Sequence, residues 1–180
     1  MGKPLLDPEN RPAQLDSPVV AALIKWGSRA NTALYKATGG RLGGTWRVGA
    51  AARNPVPVAL LTTIGRKSGK PRTAPLLYLR RGDDFVIVAS QGGSATHPAW
   101  YLNLRDNPDV SIQVGKDTYE LRARTATDSE RAQIWPELVD YYPDFDTYAA
   151  WTDQGPTKRI IPVAVSYTHL TLPTTPYAYV

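Results

Sequence analysis

Four cations, Arg66, Lys67, Lys70 and Arg72, fall within seven residues of the stretch Gly65-Arg66-Lys67-Ser68-Gly69-Lys70-Pro71-Arg72. Glycines at 65 and 69 allow a tight backbone whose N–H groups converge on an anion, and Ser68 adds a hydroxyl donor. Such a turn suits a phosphate or a string of carboxylates, although an ordinary charged hairpin turn presents the same residues. The order is not that of a Walker A loop, because the two glycines stand too close and Pro71 follows Lys70. It is not a dinucleotide fingerprint either, since a strand pattern follows where a helix is required.

Further on, Ser90-Gln91-Gly92-Gly93-Ser94-Ala95-Thr96 supplies hydroxyls and adjacent glycines directly after an apolar run. Small residues there let a flat ring lie close to the backbone, with Trp100 and Tyr101 available as walls. Trp135, Tyr141, Tyr142, Phe145, Tyr148 and Trp151 then crowd six aromatics into seventeen residues around Pro143. Some of them belong to a core, yet the density suits a lid over a planar ligand.

Other chemistries are excluded. There are no cysteines and only two histidines, His97 and His169, so thiolate metal sites, cysteine nucleophiles and histidine-rich metal centres are not expected. No Gly-x-Ser-x-Gly elbow occurs, and neither histidine sits in a hydrolytic setting. An enzyme of this composition leaves the hard chemistry to a bound cofactor.

The net charge of +5 conceals a segregation: residues 1–81 carry 14 Lys and Arg against 3 Asp and Glu, and residues 82–180 carry 7 against 13. The basic half implies an anionic partner or a solvated face. Nucleic acid is not the expected partner, because the cations gather in a turn and not along an aromatic-studded sheet face. No apolar run reaches the length of a membrane span and no signal-peptide core follows Met1, which reads as a cytoplasmic protein.

The elements that must position these groups follow from pattern. Residues 1–16 read as a flexible arm. Ser17 and Pro18 open an amphipathic helix to about Lys36, ended by Gly39 and Gly40. Its polar face carries Lys25, Arg29 and Lys36, so peripheral contact of residues 17–36 with an anionic membrane stands beside packing on the main domain. A glycine-rich connection fills the remainder of residues 17–57. Val58 to Ile64, Arg72 to Leu79 and Phe85 to Ala89 read as an antiparallel meander. A helix is expected over Pro98 to Arg105, then a hairpin of Asp109 to Val114 and Thr118 to Ala126.

Thr127 to Glu130 is a capping box for a helix that Pro136 should kink or divide. A short aromatic helix to about Trp151 and a closing strand from Arg159 to Val165 complete a barrel domain over residues 58–165. Residues 166–180 break the pattern and read as a non-native tail. The sum is an α+β chain: an antiparallel barrel of about six strands with surrounding helices and an N-terminal helical extension.

At this point Thr63 to Arg72, Ala89-Ser90-Gln91-Gly92-Gly93 and Pro98 to Leu104, with Trp135-Pro136 and Tyr142-Pro143, resemble the deazaflavin-dependent nitroreductase and quinone reductase family of actinobacteria. The resemblance implies a split β-barrel of the FMN-binding type that takes coenzyme F420, with FMN the less favoured cofactor and no metal. It implies that Lys67 and Arg72 hold the coenzyme phosphate, with Arg66 and Ser68 beside them. Thr73, Ala74, Pro75, Leu76 and Leu77 lie along the coenzyme. Val88, Ala89, Ser90 and Gln91, and Ala99, Trp100, Tyr101, Leu102 and Asn103, border the ring.

In this reading Ser90 donates to an acceptor oxygen, and Tyr142, Phe145 and Tyr148 close over the acceptor. Hydride passes from reduced F420 to a quinone-like acceptor. Two departures bear on this. Gln91 stands where relatives often carry lysine, which weakens tail binding or hands that role to Lys70. Leu77 and Phe145 stand where relatives active on bulky nitroimidazoles present an aromatic and a tyrosine, which favours quinones. A non-catalytic carrier or sensor of deazaflavin, flavin or haem on the same barrel is the alternative.

Overall fold

The computed structural model describes residues 6–52, 54–154 and 158–168. Its helices are α1 (Pro18–Thr38), α2 (Ala99–Asp106), α3 (Asp128–Tyr141) and α4 (Asp144–Gln154). Its strands are β1 (Thr45–Trp46), β2 (Val56–Ile64), β3 (Pro71–Leu77), β4 (Leu79–Arg81), β5 (Asp84–Val88), β6 (Asp109–Val114), β7 (Asp117–Thr125) and β8 (Val163–Tyr167).

Every strand pair is antiparallel, in the order β1-β2-β6-β7-β8-β5-β4 with β3 on the other edge of β2. Only Tyr78 separates β3 from β4, so the two act as one bent strand that changes partner. Its first part pairs with β2 from Ile64↔Pro71 to Val58↔Leu77, and its last part with β5 from Leu79↔Val86 to Arg81↔Asp84. Six strands thereby close into the expected split barrel. The closure is partial: β3 pairs with β2 alone, so a seam runs between β3 and the end of β5 beyond Val86. Pro71 and Pro75 sit on β3, where an open edge tolerates a strand residue without an N–H.

Alternation sorts the side chains into layers. Phe85 and Ile87 of β5 point into the barrel with Ala59, Leu61, Ile112, Leu121 and Ala164, and Trp100, Tyr101 and Leu104 of α2 plug that interior. Val86 and Val88 point outward with Val163 and Val165 and are covered by Ile134, Leu138, Tyr142 and Phe145. Burying a side chain of this size contributes about 1.5–3 kcal/mol. Val58 and Leu60 form a third cluster with Tyr35, which explains why β2 reads as a continuous apolar run.

Tyr35 also anchors α1: its hydroxyl donates to Val58 O at 3.1 Å and accepts from the N–H of Gly115 at 2.9 Å. It is the one buried residue of α1, and Val19, Leu23, Ile24 and Trp26 are each at least 60% exposed. Among the described residues no helix is long and apolar enough to cross a membrane.

Several boundaries differ from the sequence reading. The closing strand begins at Val163, not Arg159, because the N–H of Arg159 donates to Thr152 O and holds residues 158–162 against the end of α4. It runs through Tyr167, since Ser166 pairs with both Phe85 and Ala123. His169 and the rest of the expected tail lie outside the described residues.

Helix α3 passes Pro136 without division, its start fixed by the Thr127 and Glu130 capping box. The arm expected to be flexible lies on α4 from residue 6: Trp151 Nε1 donates to Asp7 O at 2.9 Å and Gln154 Nε2 to Pro8 O at 3.4 Å. These bonds use backbone carbonyls, which apolar content does not reveal.

Candidate functional site

The cationic turn caps the β2–β3 hairpin. Gly65 donates to Lys70 O at 2.9 Å, and the N–H groups of Ser68 and Gly69 return to Gly65 O at 3.0 and 2.7 Å. A Cβ on Gly65 would stand 2.8 Å from Ser68 Oγ and 3.2 Å from Lys70 O, so a side chain there would displace the Ser68 hydroxyl. Gly69 sits at φ +64°, the left-handed region that favours glycine.

From beneath, Asn103 of α2 accepts from the N–H of Arg66 at 3.1 Å and donates to Thr63 Oγ1 at 3.1 Å. Arg72 Nη2 reaches Ser68 Oγ at 3.4 Å. Arg66, Lys67, Lys70 and Arg72 are exposed, and no carboxylate among the described residues pairs with them. The concentration of unpaired positive charge is the electrostatic mark of the site.

Thr73 continues the lane. It shares a hydrogen bond of 2.9 Å with Thr62, and Lys36 Nζ of α1 approaches its hydroxyl at 3.5 Å. Beside Lys36 an open cleft of about 800 Å³ is lined by Gly39, Arg41, Leu42, Gln113 and Lys116 among others. The sequence reading assigned no site role to Lys36, Arg41 or Lys116. Only the fold brings the end of α1 alongside β3.

Along the seam, Thr73, Ala74, Pro75, Leu76 and Leu77 are all half-buried, as an open strand edge demands. Leu77 packs against the outer cluster that contains Val88. Ala89 is fully buried, and Ser90 opens the glycine loop. Gln91, Gly92 and Gly93 follow at φ +49°, +59° and +70°. Gln91 is the one non-glycine residue with positive φ among the described residues, a conformation that costs about 1–2 kcal/mol.

The Ser90 carbonyl is bonded while its Oγ has no hydrogen-bond partner among the described residues, which leaves that hydroxyl available to a ligand. A buried guanidinium, Arg159, lies under this loop, and its role was not foreseen.

Tyr148 is half-buried beside the loop: a Cβ on Gly93 would stand 3.4 Å from Tyr148 Cα and 2.7 Å from the ring of Trp151. The Tyr142 and Tyr148 hydroxyls are 3.4 Å apart. Burial pushes both phenols above the usual tyrosine range. Tyr142 and Phe145 are only 2% and 4% exposed, so they form the floor beneath Tyr148 and are part of the outer core.

Of the α2 residues, Trp100 and Tyr101 are buried in the barrel, Leu102 is half-buried, Ala99 is exposed, and Asn103 is engaged by the cationic turn. Among the described residues no group of three or more His, Cys, Asp or Glu is arranged for a metal ion.

The sequence profile of the F420H(2)-dependent quinone reductase family matches residues 26–168. The chain belongs to that family. A Mycobacterium tuberculosis protein named F420H(2)-dependent quinone reductase is 39% identical over 139 residues, 76% of this chain and 87% of the relative. A second protein from that organism, provisionally given the same name, is 49% identical over 109 residues, 61% of this chain and 92% of the relative. The solved structure of an F420-H2 dependent reductase superposes with a TM-score of 0.55 at 39% identity, over 61% of this chain and 93% of that one.

The side chains present fit such a coenzyme. Its phosphate and carboxylates need cations without counterions, and the turn offers four of them with a hydroxyl between.

Proposed function

We propose that the protein transfers a hydride from reduced coenzyme F420 to a quinone-like planar acceptor. The observation that carries this reading is the open seam between β3 and the Val88–Gln91 segment, which ends in a cationic turn with no counter-charge among the described residues. When bound, the coenzyme supplies the hydride in a two-electron step. Lys67 and Arg72, with Arg66 and Ser68, hold its phosphate, and Lys70, Lys36 and the cleft at Arg41 and Lys116 take the carboxylate tail.

Thr73 to Leu77 and Val88 to Gln91 confine the ring, and Tyr148 covers the acceptor above Tyr142 and Phe145, excluding water. Ser90 Oγ donates to the acceptor oxygen as negative charge develops there. Reduced F420 mixed with menadione will regain the absorbance of the oxidised coenzyme. Lys67→Ala combined with Arg72→Ala will raise the coenzyme KM about 10- to 100-fold with a smaller change in kcat. An unchanged KM overturns the assignment of the turn.

The acceptor is reached at a membrane surface. Leu23, Ile24 and Trp26 are exposed on α1 next to Lys25 and Arg29, a combination that suits anionic lipid. Co-sedimentation with vesicles containing anionic lipid will be lost in Leu23→Ser with Trp26→Ser. A wild-type protein that stays in the supernatant removes this part of the reading.

A further inference from the structure

Arg159 is 9% exposed, and no carboxylate among the described residues pairs with it. A buried cation without a counter-charge persists only if its donors are matched. Here they are matched by one loop. Nε and Nη2 donate to Ser94 O at 3.1 and 2.8 Å, Nη2 to Ser90 O at 2.9 Å, and Nη1 to Ala89 O at 3.1 Å. Nη1 also lies 3.3 Å from His97 Nδ1, which accepts when the imidazole is neutral.

The three carbonyls bracket the run Gln91, Gly92 and Gly93, whose positive φ values are unfavourable at Gln91. Backbone of this kind survives where surroundings over-determine it. The surroundings are visible on both sides. Trp151 presses on Gly93, and the Arg159 N–H is itself tied to Thr152 O of α4 at 3.1 Å.

We propose that Arg159 is a positioning residue for the hydride transfer: its planar fork holds the carbonyls of Ala89, Ser90 and Ser94 and so fixes the Ser90 hydroxyl at the seam. The proposal rests on the function argued above. Arginine suits the task because three carbonyls on one loop need directed, coplanar donors, which an ammonium does not supply.

The test compares Arg159→Lys and Arg159→Ala with the wild type, using reduced F420 and menadione. Both variants will lose kcat about 30- to 100-fold, while coenzyme affinity, carried mainly by the cationic turn, will change less than about threefold. Added guanidinium ion will recover about tenfold of the rate in Arg159→Ala and none in Arg159→Lys. An unchanged kcat in either folded variant, or a loss matched by equal loss of coenzyme affinity, overturns the proposal.

Amide hydrogen exchange of the wild type reads the loop independently of turnover. The Gly93 and Ser94 amides, bonded to Ser90 O and Gln91 O, will be protected to the level of β5. Exchange at the rate of an open turn overturns the proposal even if the variants do not fold. A wild type inert toward F420 with a protected loop instead removes the functional reading and leaves the clamp.

Discussion

The side-chain carbonyl of Asn103 accepts the backbone N–H of Arg66 at 3.1 Å, so the helix that plugs the barrel also holds the cationic turn in place. Asn103 is 5% exposed, and its amide group is matched by Thr63 on the other side. Asn103→Ala leaves the buried Thr63 hydroxyl and the part-buried Arg66 N–H without this partner and will lower stability by about 1–3 kcal/mol. Coenzyme KM will rise about 5- to 10-fold as the turn loosens, with kcat nearly unchanged. Denaturant unfolding and steady-state kinetics on one preparation check both numbers.

Gly93 is enclosed by Trp151 and held at φ +70°. Gly93→Ala places a Cβ 2.7 Å from the indole and a side chain in left-handed backbone, which will destabilise the fold by about 1–3 kcal/mol. Gly92→Ala meets no atom within 4 Å and carries only the conformational penalty. A comparison of the two melting temperatures separates contact from conformation.

Glu130 caps α3 and forms a bidentate ion pair with Arg124, its oxygens 2.6 Å from both terminal nitrogens. That bond and the N–H of Thr127 pull its pKa from 4.5 down to about 2. A depressed carboxylate contributes stability that is full above its unfolded pKa and is lost as pH falls through the folded one. The melting temperature of Glu130→Gln will therefore lie below wild type at neutral pH and converge with it between pH 4.5 and about 2. Because the pair is on the surface, added salt will narrow the neutral gap.

His97 has its pKa pushed below the ordinary 6.5 by burial, by Arg159 and by Arg105. The Tyr101 ring, 5.3 Å away, is the aromatic group facing it, and no carboxylate among the described residues bonds to it. A histidine with a lowered folded pKa opposes folding once the unfolded form takes up its proton, so its effect is absent well above pH 6.5 and grows as pH falls below it. His97→Asn will show a shallower loss of melting temperature on acidification than the wild type, measured by thermal scans across that range.

The cationic turn was legible because glycine, proline and charge mark a hairpin in a way few other arrangements share. The antiparallel barrel was legible from the short turns that join three consecutive strand patterns, and from the alternation of Tyr119, Leu121 and Ala123 with charged residues in β7. The change of partner at Tyr78 was hidden, since a bent strand keeps the same period on both sides of the bend. Arg159 was hidden as well: a cation beside Lys158 at the start of an apolar run has no signature until the fold brings the Ser90 loop above it. The aromatics from Trp135 to Trp151 stayed ambiguous because a core and a lid use the same residues. Here Tyr142 and Phe145 lie in the core and Tyr148 lies at its margin.

Among the described residues strand β8 comes after every other strand, yet it lies between β5 and β7 in the sheet. During synthesis the first seven strands must wait for it, and β5 and β7 each present an unpaired edge in the interval. Their pairings with β8 span long stretches of chain and form late. Aggregation of nascent protein should therefore depend on how fast residues 163–167 are delivered, which makes β8, and not the binding turn, the place where yield is decided.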